Sequence, residues 1–176
     1  MPESENLYII DSSSLIEIQR RYPIDIFPSV WKHLHELVMD GKLIAPVEVK
    51  KELLEGYDSL KGWIHTHEGM FRDFDDDLII RTQSILGRFP RMADSESEKL
   101  YNADPFIIAL ALLLQEKPQR ELVPHIITVV TDERGKLGTN PKLHENNMKK
   151  IPDVCEKYGI ECMDHIGIFR KEGWMF

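Results

Sequence analysis

The sequence is poor in cysteine, in long apolar runs and in nucleotide-binding motifs. Its two cysteines, Cys155 and Cys162, have neither metal-site nor redox spacing, so we expect reduced thiols in a cytoplasmic protein. The longest apolar run, 106–114, is too short to span a bilayer, and residues 1–5 do not have the basic start and apolar core of a signal peptide. Neither GxGxxG nor GxxxxGK[ST] is present, which argues against the common nucleotide-binding classes. We therefore expect no membrane partner.

Positive charge is also scarce. The 22 Lys and Arg residues face 30 Asp and Glu residues, for a net charge of −8. This balance argues against a protein that coats nucleic acid through bulk positive charge. It leaves open an enzyme that holds a phosphodiester through a metal ion, because clustered site carboxylates add to the negative total. Four short basic pairs are expected to be solvated surface more often than phosphate clamps: Arg20-Arg21, Lys50-Lys51, Lys149-Lys150 and Arg170-Lys171.

What is present suits one globular domain. The chain has 176 residues, of which 42% are hydrophobic and 30% charged, so we assign 1–176 to a single domain. Short apolar, β-prone runs alternate with segments of helical spacing, which predicts an α/β fold with a mainly parallel sheet and helices on both faces. Strands are predicted at 7–10, 43–45, 126–130 and 160–163, and helices at 15–21, 27–39, 47–55, 75–86, 106–114 and 151–158.

Several segments carry weaker signals. Pro46 is expected at the first position of a helix. Trp63-Ile64-His65 is compatible with a strand or a loop, and His65 and His67 form a weak His-x-His metal candidate. Residues 91–102 are expected to be a loop with a helical turn, and 166–176 one further turn that carries Trp174.

Acidic residues converge at one edge of the predicted sheet. Carboxyl ends of parallel strands meet at the same edge, where ligands bind. Carboxylates crowded there have raised pKa values unless a cation compensates them, and Mg²⁺ is a suitable hard cation. Such an ion can activate water and stabilise a phosphoryl transition state. The acids are Asp11 after 7–10, Glu52 in the helix after 43–45, Asp104 before the apolar run 106–114, and Asp132 or Glu133 after 126–130.

Each acid also has an ordinary structural interpretation. Asp11 with Ser12, Ser13 and Ser14 is a good helix cap, and so is Asp104 before Pro105. The remaining acids have ordinary interpretations too: a solvated stripe for Glu52 with Glu48 and Glu55, and turn positions for Asp132 and Glu133. The set of acids, rather than any one member, favours a site.

The ordered motifs resemble a PIN domain, the metal-dependent ribonuclease fold of VapC-type toxins. The matching segments, which cover most of the chain, are Tyr8-Ile9-Ile10-Asp11-Ser12-Ser13, Ala45-Pro46 with Lys51-Glu52-Leu53, Ala103 through Ala111, and Val129-Val130-Thr131-Asp132-Glu133. The chain is also similar to an uncharacterised, DUF4411-type PIN-like group of prokaryotic proteins, through Lys150-Ile151-Pro152-Asp153-Val154-Cys155. The resemblance implies a PIN-like three-layer α/β/α sandwich with a twisted central sheet.

The resemblance also implies a Mg²⁺- or Mn²⁺-dependent ribonuclease site. By matched position, Asp11 and Asp104 are the principal metal ligands and Glu52 completes the cluster, directly or through water. The fourth acid stays open between Asp132, which we count among the metal ligands, and Glu133. Supporting residues are expected around these acids: Ser13 and Thr131 beside them, and Arg134 and Lys136 for RNA contact. The segment 57–95 is long for a small toxin.

Our hypothesis from the sequence is an endoribonuclease that hydrolyses RNA phosphodiester bonds, as the toxin of a type II toxin–antitoxin pair. The resemblance implies an antitoxin partner and a homodimer. Two alternatives are a catalytically silent PIN-like module that binds RNA or protein, and a phosphatase of the haloacid dehalogenase type with Asp11 as nucleophile. The second alternative is weaker, because Ser13 stands where that chemistry needs a second Asp.

Overall fold

A five-stranded, all-parallel sheet forms the centre of the molecule. We describe residues 5–94, 102–116 and 125–176 of a computed structural model. The strands are β1 (Glu5–Ile10), β2 (Leu43–Pro46), β3 (Phe71–Arg72), β4 (His125–Val130) and β5 (Glu161–Met163), in the order β3-β2-β1-β4-β5. The α/β class is confirmed, and helices flank the sheet as in a three-layer sandwich.

Eight α-helices are described. They are α1 (Ser12–Arg21), α2 (Pro28–Met39), α3 (Val47–Gly56), α4 (Asp58–Thr66), α5 (Asp76–Arg88), α6 (Asp104–Glu116), α7 (Ile151–Tyr158) and α8 (His165–Lys171). Short 3-10 turns lie at Glu68–Met70, Pro90–Ala93 and Glu145–Asn147. Within the described ranges, no helix is long and apolar enough to cross a membrane.

The central strands position the site. β1 pairs with β4 over six residue pairs, ending at Ile10 opposite Val130, so the residues that follow both strands emerge side by side. Their last three residues are buried because both faces of the sheet are covered. The apolar helix α6 packs against β1, β2 and β4, and its segment 107–112 is buried, as its uniformly apolar sequence predicts.

Four of the weaker predictions are corrected or limited by the structure. Trp63-Ile64-His65 lies in α4, neither strand nor loop, because Leu60, Trp63 and Ile64 share a buried face at helical spacing. Pro46 ends β2 and caps α3 from an extended conformation, one residue earlier than expected. Trp174 follows α8 and is not part of it. Of 91–102, residues 91–93 belong to a 3-10 turn, while 95–101 lie outside the described residues.

Candidate active site

Asp11 stands at the junction of β1, β4 and α1. It is the N-cap of α1, with Oδ1 accepting a hydrogen bond from Ser14 N at 2.8 Å. Its second oxygen, Oδ2, accepts from Ser13 Oγ at 2.7 Å and from Thr131 Oγ1 at 2.6 Å. The residue is 2% exposed. Oδ1 therefore caps α1, as expected from the sequence. Oδ2 links the residues that follow β1 to Thr131, which follows β4.

Burial changes the acidity of this group. Desolvation raises the pKa of Asp11 to about 6, and the negative charge of Glu133 adds to the rise. The hydrogen bonds from Thr131, Ser14 and Ser13 act in the opposite direction, because they stabilise the carboxylate. Asp11 is thus a buried acid whose charged form is costly, in the electrostatic field of a second acid.

Glu52 connects two helix N-termini. Its carboxylate accepts a hydrogen bond from the Ser12 hydroxyl, at the start of α1. It also accepts from Ala103 N at 2.9 Å, at the start of α6. Glu52 is 8% exposed, so it does not lie on a solvated stripe. Glu55, on the same helix, is exposed.

Asp104 experiences the combined charge of the acids. It is the first residue of α6, one position later than the cap position expected from the sequence. Its pKa is raised well above the ordinary value, first by burial and then by the negative charges of Glu133, Asp11 and Glu52. The cation that opposes this rise is Lys150. We call Asp11, Glu52, Asp104 and Glu133 the acid cluster.

The structure separates the two candidates for the fourth acid. Glu133 belongs to the acid cluster, because its charge acts on Asp104. Its Oε1 lies 3.2 Å from Lys150 Nζ, and its Oε2 accepts from Ile151 N at 3.2 Å. Asp132 turns away: its Oδ1 accepts from His165 Nδ1 at 2.6 Å. Its backbone N–H donates to Ser13 Oγ at 3.2 Å, which keeps it adjacent. Asp132, predicted as a metal ligand, therefore lines a groove of about 690 Å³ that lies between α1, the segment after β4 and the start of α8.

Sequence reasoning missed two residues of this region. Lys150 stands out in the sequence only as part of a basic pair and of a family segment, although its side chain is 16% exposed and borders the acid cluster. His165 has no local motif, and it meets Asp132 only because α8 begins where β5 ends.

The predicted basic surface is mostly engaged by acids. Arg134 is exposed at the rim of the groove, whereas Lys136 contributes its backbone N–H to Asp153 Oδ1 at 2.6 Å. Members of the four basic pairs form these ion pairs: Arg20 and Arg21 with Glu17, Lys50 with Glu68, Lys51 with Glu48, Lys150 with Glu133, and Lys171 with Glu161.

The donor set suits a hard cation. Across the described ranges, no three His, Cys, Asp or Glu side chains are placed to hold one ion together. Mg²⁺ does not require such a triad, because it usually keeps several waters and binds one or two carboxylates directly. The acid cluster offers only oxygen donors, and burial together with the neighbouring carboxylates raises the pKa of Asp104 despite the opposing charge of Lys150. The residues present therefore fit a Mg²⁺ or Mn²⁺ ion.

His65 and His67 are engaged elsewhere. His65 Nδ1 lies 3.3 Å from Glu68 Oε1 on the surface. His67 Nδ1 donates to Trp63 O at 2.6 Å, and its Nε2 lies 2.8 Å from His35 Nδ1. The His-x-His spacing thus reflects two separate environments.

Fold and pocket together define an α/β protein with buried acids at the carboxyl edge of a parallel sheet. The chain belongs to the family described as "Domain of unknown function (DUF4411)", whose match covers residues 8–176. No curated protein matches the sequence. The family description names no activity.

Proposed function

We propose that this protein is a cytoplasmic, PIN-like endoribonuclease that hydrolyses RNA phosphodiester bonds with Mg²⁺ or Mn²⁺. The observation that carries the proposal is the convergence of four carboxylate residues from separate parts of the chain. Thr131 Oγ1 donates to Asp11 Oδ2 and accepts from the N–H of Glu133. Glu52 accepts from the Ser12 hydroxyl and from the N–H of Ala103, the residue before Asp104. Such a cluster is unfavourable in isolation and is the usual arrangement for a bound divalent cation. Its place at the carboxyl ends of β1 and β4 is where ligands bind in open α/β sheets.

Each residue then has a definite task. Asp11 and Asp104 are the proposed direct ligands, and Glu52 and Glu133 act directly or through water. Ser13 and Thr131 hold Asp11 Oδ2 in one orientation through their hydroxyls. When bound, the ion supplies a water of lowered pKa and charge stabilisation for the phosphoryl group. Asp132, Arg134 and the groove beside them are left for substrate contacts.

The proposed biological role extends the resemblance. We propose that the enzyme is the toxin of a type II toxin–antitoxin pair, with an antitoxin that blocks the acid cluster and with a homodimer as the working form. Co-expression with the neighbouring reading frame tests this role, since growth arrest by the protein alone and relief by the neighbour are expected. Asp104→Asn should abolish the arrest.

Cleavage of defined RNA oligonucleotides tests the enzymatic proposal. Wild type should cleave with Mg²⁺ or Mn²⁺ and not with EDTA, and Asp11→Asn and Asp104→Asn should lower the rate by about 100-fold or more, since each removes a charge from the site. Asp40→Asn is the matched control, because Asp40 is exposed at the end of α2. Calorimetry should show weaker Mn²⁺ binding in the two site variants.

The same experiment separates the alternatives. Cleavage that survives the double substitution of Asp11 and Asp104 would contradict the assignment of the site. RNA binding without cleavage, at any divalent ion tested, would identify a catalytically silent module instead.

A further inference from the structure

A groove of about 690 Å³ lies beside the acid cluster. Its walls come from α1, the segment after β4 and the start of α8. Ser13 and Glu133 line it as well, so the groove shares one wall with the acid cluster. A molecule bound in the groove therefore lies next to the acid cluster.

The floor of the groove presents hydrogen-bond acceptors. His165 is 3% exposed and donates from Nδ1 to Asp132 Oδ1 at 2.6 Å. In the tautomer that carries its proton on Nδ1, Nε2 is an acceptor. Asp132 Oδ2 and His165 Nε2 are both buried and have no hydrogen-bond partner among the described residues. Buried acceptors without a donor are costly, so the floor is complementary to a donor such as a hydroxyl group.

The rim of the groove carries three arginines, Arg20, Arg21 and Arg134, against the carboxylates of Glu17 and Asp164. Arg20 and Arg21 share the carboxylate of Glu17. Arg134 is exposed, and the described part of the chain provides no ion pair for it. Arginine recognises phosphate through paired donors, and exposed guanidinium groups are available to it. Tyr57 adds an aromatic ring to the same lining.

We propose that this groove binds single-stranded RNA next to the bond that is cut. Cations at the rim match the phosphates, acceptors on the floor match a ribose hydroxyl, and Tyr57 offers a surface for a base. The proposal rests on the proposed function and deepens it, because it states where the substrate strand runs. An acidic segment of a protein partner matches the rim but has no ribose hydroxyl for the floor.

Binding is measured apart from cleavage to test the proposal. A short single-stranded RNA is titrated, with calcium in place of magnesium, against wild type, Arg134→Ala and the double variant Arg20→Ala/Arg21→Ala. Each variant should bind about tenfold or more weakly, and the slope of log K against log salt should fall by about 0.7 for each phosphate that the variant no longer neutralises. Arg91→Ala is the matched control, because Arg91 is an exposed arginine paired with Asp94 and does not line the groove.

The contact between the floor and a ribose hydroxyl is tested by comparing RNA with DNA. Wild type should bind RNA more tightly than the all-deoxy oligonucleotide of the same sequence, and Asp132→Asn should reduce this ratio several-fold. His165→Gln is the second variant, and circular dichroism of both checks that they fold. If Asp132→Asn alone folds, the RNA-to-DNA ratio in that variant decides the question.

The possible results distinguish this inference from the proposed function. Cleavage by wild type with unchanged binding and salt slope in the arginine variants would overturn the groove and leave the nuclease. Arginine-dependent binding without any cleavage would overturn the nuclease and leave the groove. Displacement of RNA by polyglutamate at equal concentration, with no preference for ribose, would show that the groove takes an acidic protein segment and would overturn the RNA assignment.

Discussion

Thr131 Oγ1 lies 2.6 Å from Asp11 Oδ2, so a hydroxyl at the end of β4 is bonded to the carboxylate at the end of β1. The two residues are 120 positions apart in the chain and meet because the strands pair in parallel register up to Ile10 and Val130. The same hydroxyl accepts the N–H of Glu133 at 3.1 Å. One side chain thereby orients two members of the acid cluster, and sheet pairing is the physical cause of the site.

The first prediction concerns Asp11→Asn and pH. The pKa of Asp11 rises from 3.8 to about 6 on folding, so between these values the folded state binds more protons than the unfolded state. Stability therefore falls as pH rises through this window, and the penalty persists above it. Without divalent metal at pH 7.5, Asp11→Asn should be more stable than wild type by up to about 3 kcal/mol. Urea unfolding in EDTA measures the difference.

At pH 4 the same variant should show no gain, because Asp11 of wild type is then protonated when folded. Asp40→Asn, an exposed control, should follow wild type at both pH values. If the stability difference between wild type and Asp11→Asn is the same at pH 4 and pH 7.5, burial does not raise the pKa of Asp11.

The second prediction concerns Lys150→Met. Lys150 Nζ lies 3.2 Å from Glu133 Oε1, and its charge opposes the rise of the pKa of Asp104. Removing this cation leaves the carboxylate of Glu133 without its ion-pair partner. The variant should therefore lose about 1–3 kcal/mol of unfolding free energy at pH 8 in EDTA. Added Mg²⁺ should then raise its melting temperature by more than that of wild type. Differential scanning fluorimetry with and without Mg²⁺ gives both values.

Lys32→Met is the control, since Lys32 is a lysine of α2 whose side chain is 75% exposed. It should show the melting temperature and the Mg²⁺ response of wild type. Equal Mg²⁺ responses in the two variants would show that Lys150 does not share the field of the acid cluster.

The sequence predicted four of the five strands because those four carry strong local signals, and it missed the two-residue β3. The segments around β1 and β4 are short, apolar and followed by acids, and these properties are local. The choice between Asp132 and Glu133 is different, because adjacent residues in one turn have the same local chemistry. Their directions are set by distant neighbours, His165 for the first and Lys150 for the second.

The prediction for the segment of α4 was wrong for a related reason. Trp63-Ile64-His65 alone has the apolar character of a strand, and its helical state depends on packing. Trp63 stacks on His67 and contacts Trp31 of α2, with ring centroids 4.2 Å and 5.4 Å apart. Such contacts between distant segments override local preference.

The third prediction concerns Gly135→Ala. Asp153 Oδ1 accepts from Lys136 N at 2.6 Å and Leu137 N at 2.9 Å, which fixes the segment that carries Glu133. A Cβ on Gly135 would stand 2.6 Å from this same oxygen. The substitution should therefore cost about 1–3 kcal/mol, because these hydrogen bonds must open and buried groups lose partners. Chemical unfolding measures the loss.

Gly138→Ala in the same segment is the control, because a Cβ there meets nothing within 4 Å. It should keep the stability of wild type. If both variants unfold at the same denaturant concentration, the contact between Gly135 and Asp153 does not restrain the segment.

The fourth prediction concerns His67 and acid. His67 Nδ1 donates to Trp63 O, so its Nε2 is the acceptor for His35 Nδ1, and the neutral pair is satisfied. Burial lowers the pKa of His67 below 6.5, His35 lowers it further, and the Trp63 carbonyl opposes both. Below pH 6.5 the unfolded state therefore binds more protons at this site, and stability falls as pH falls toward the pKa of the folded state.

His67→Gln removes this titration and should flatten the loss of stability between pH 7 and 5. The change in slope is at most about 1.4 kcal/mol per pH unit, the value for one proton. His65→Gln is the matched control, because His65 is two residues away and its side chain is 60% exposed. Urea unfolding at several pH values compares the three proteins. If His67→Gln keeps the full slope of wild type, the acid sensitivity belongs to groups other than His67. A flattened slope in His67→Gln alone assigns the acid sensitivity to His67.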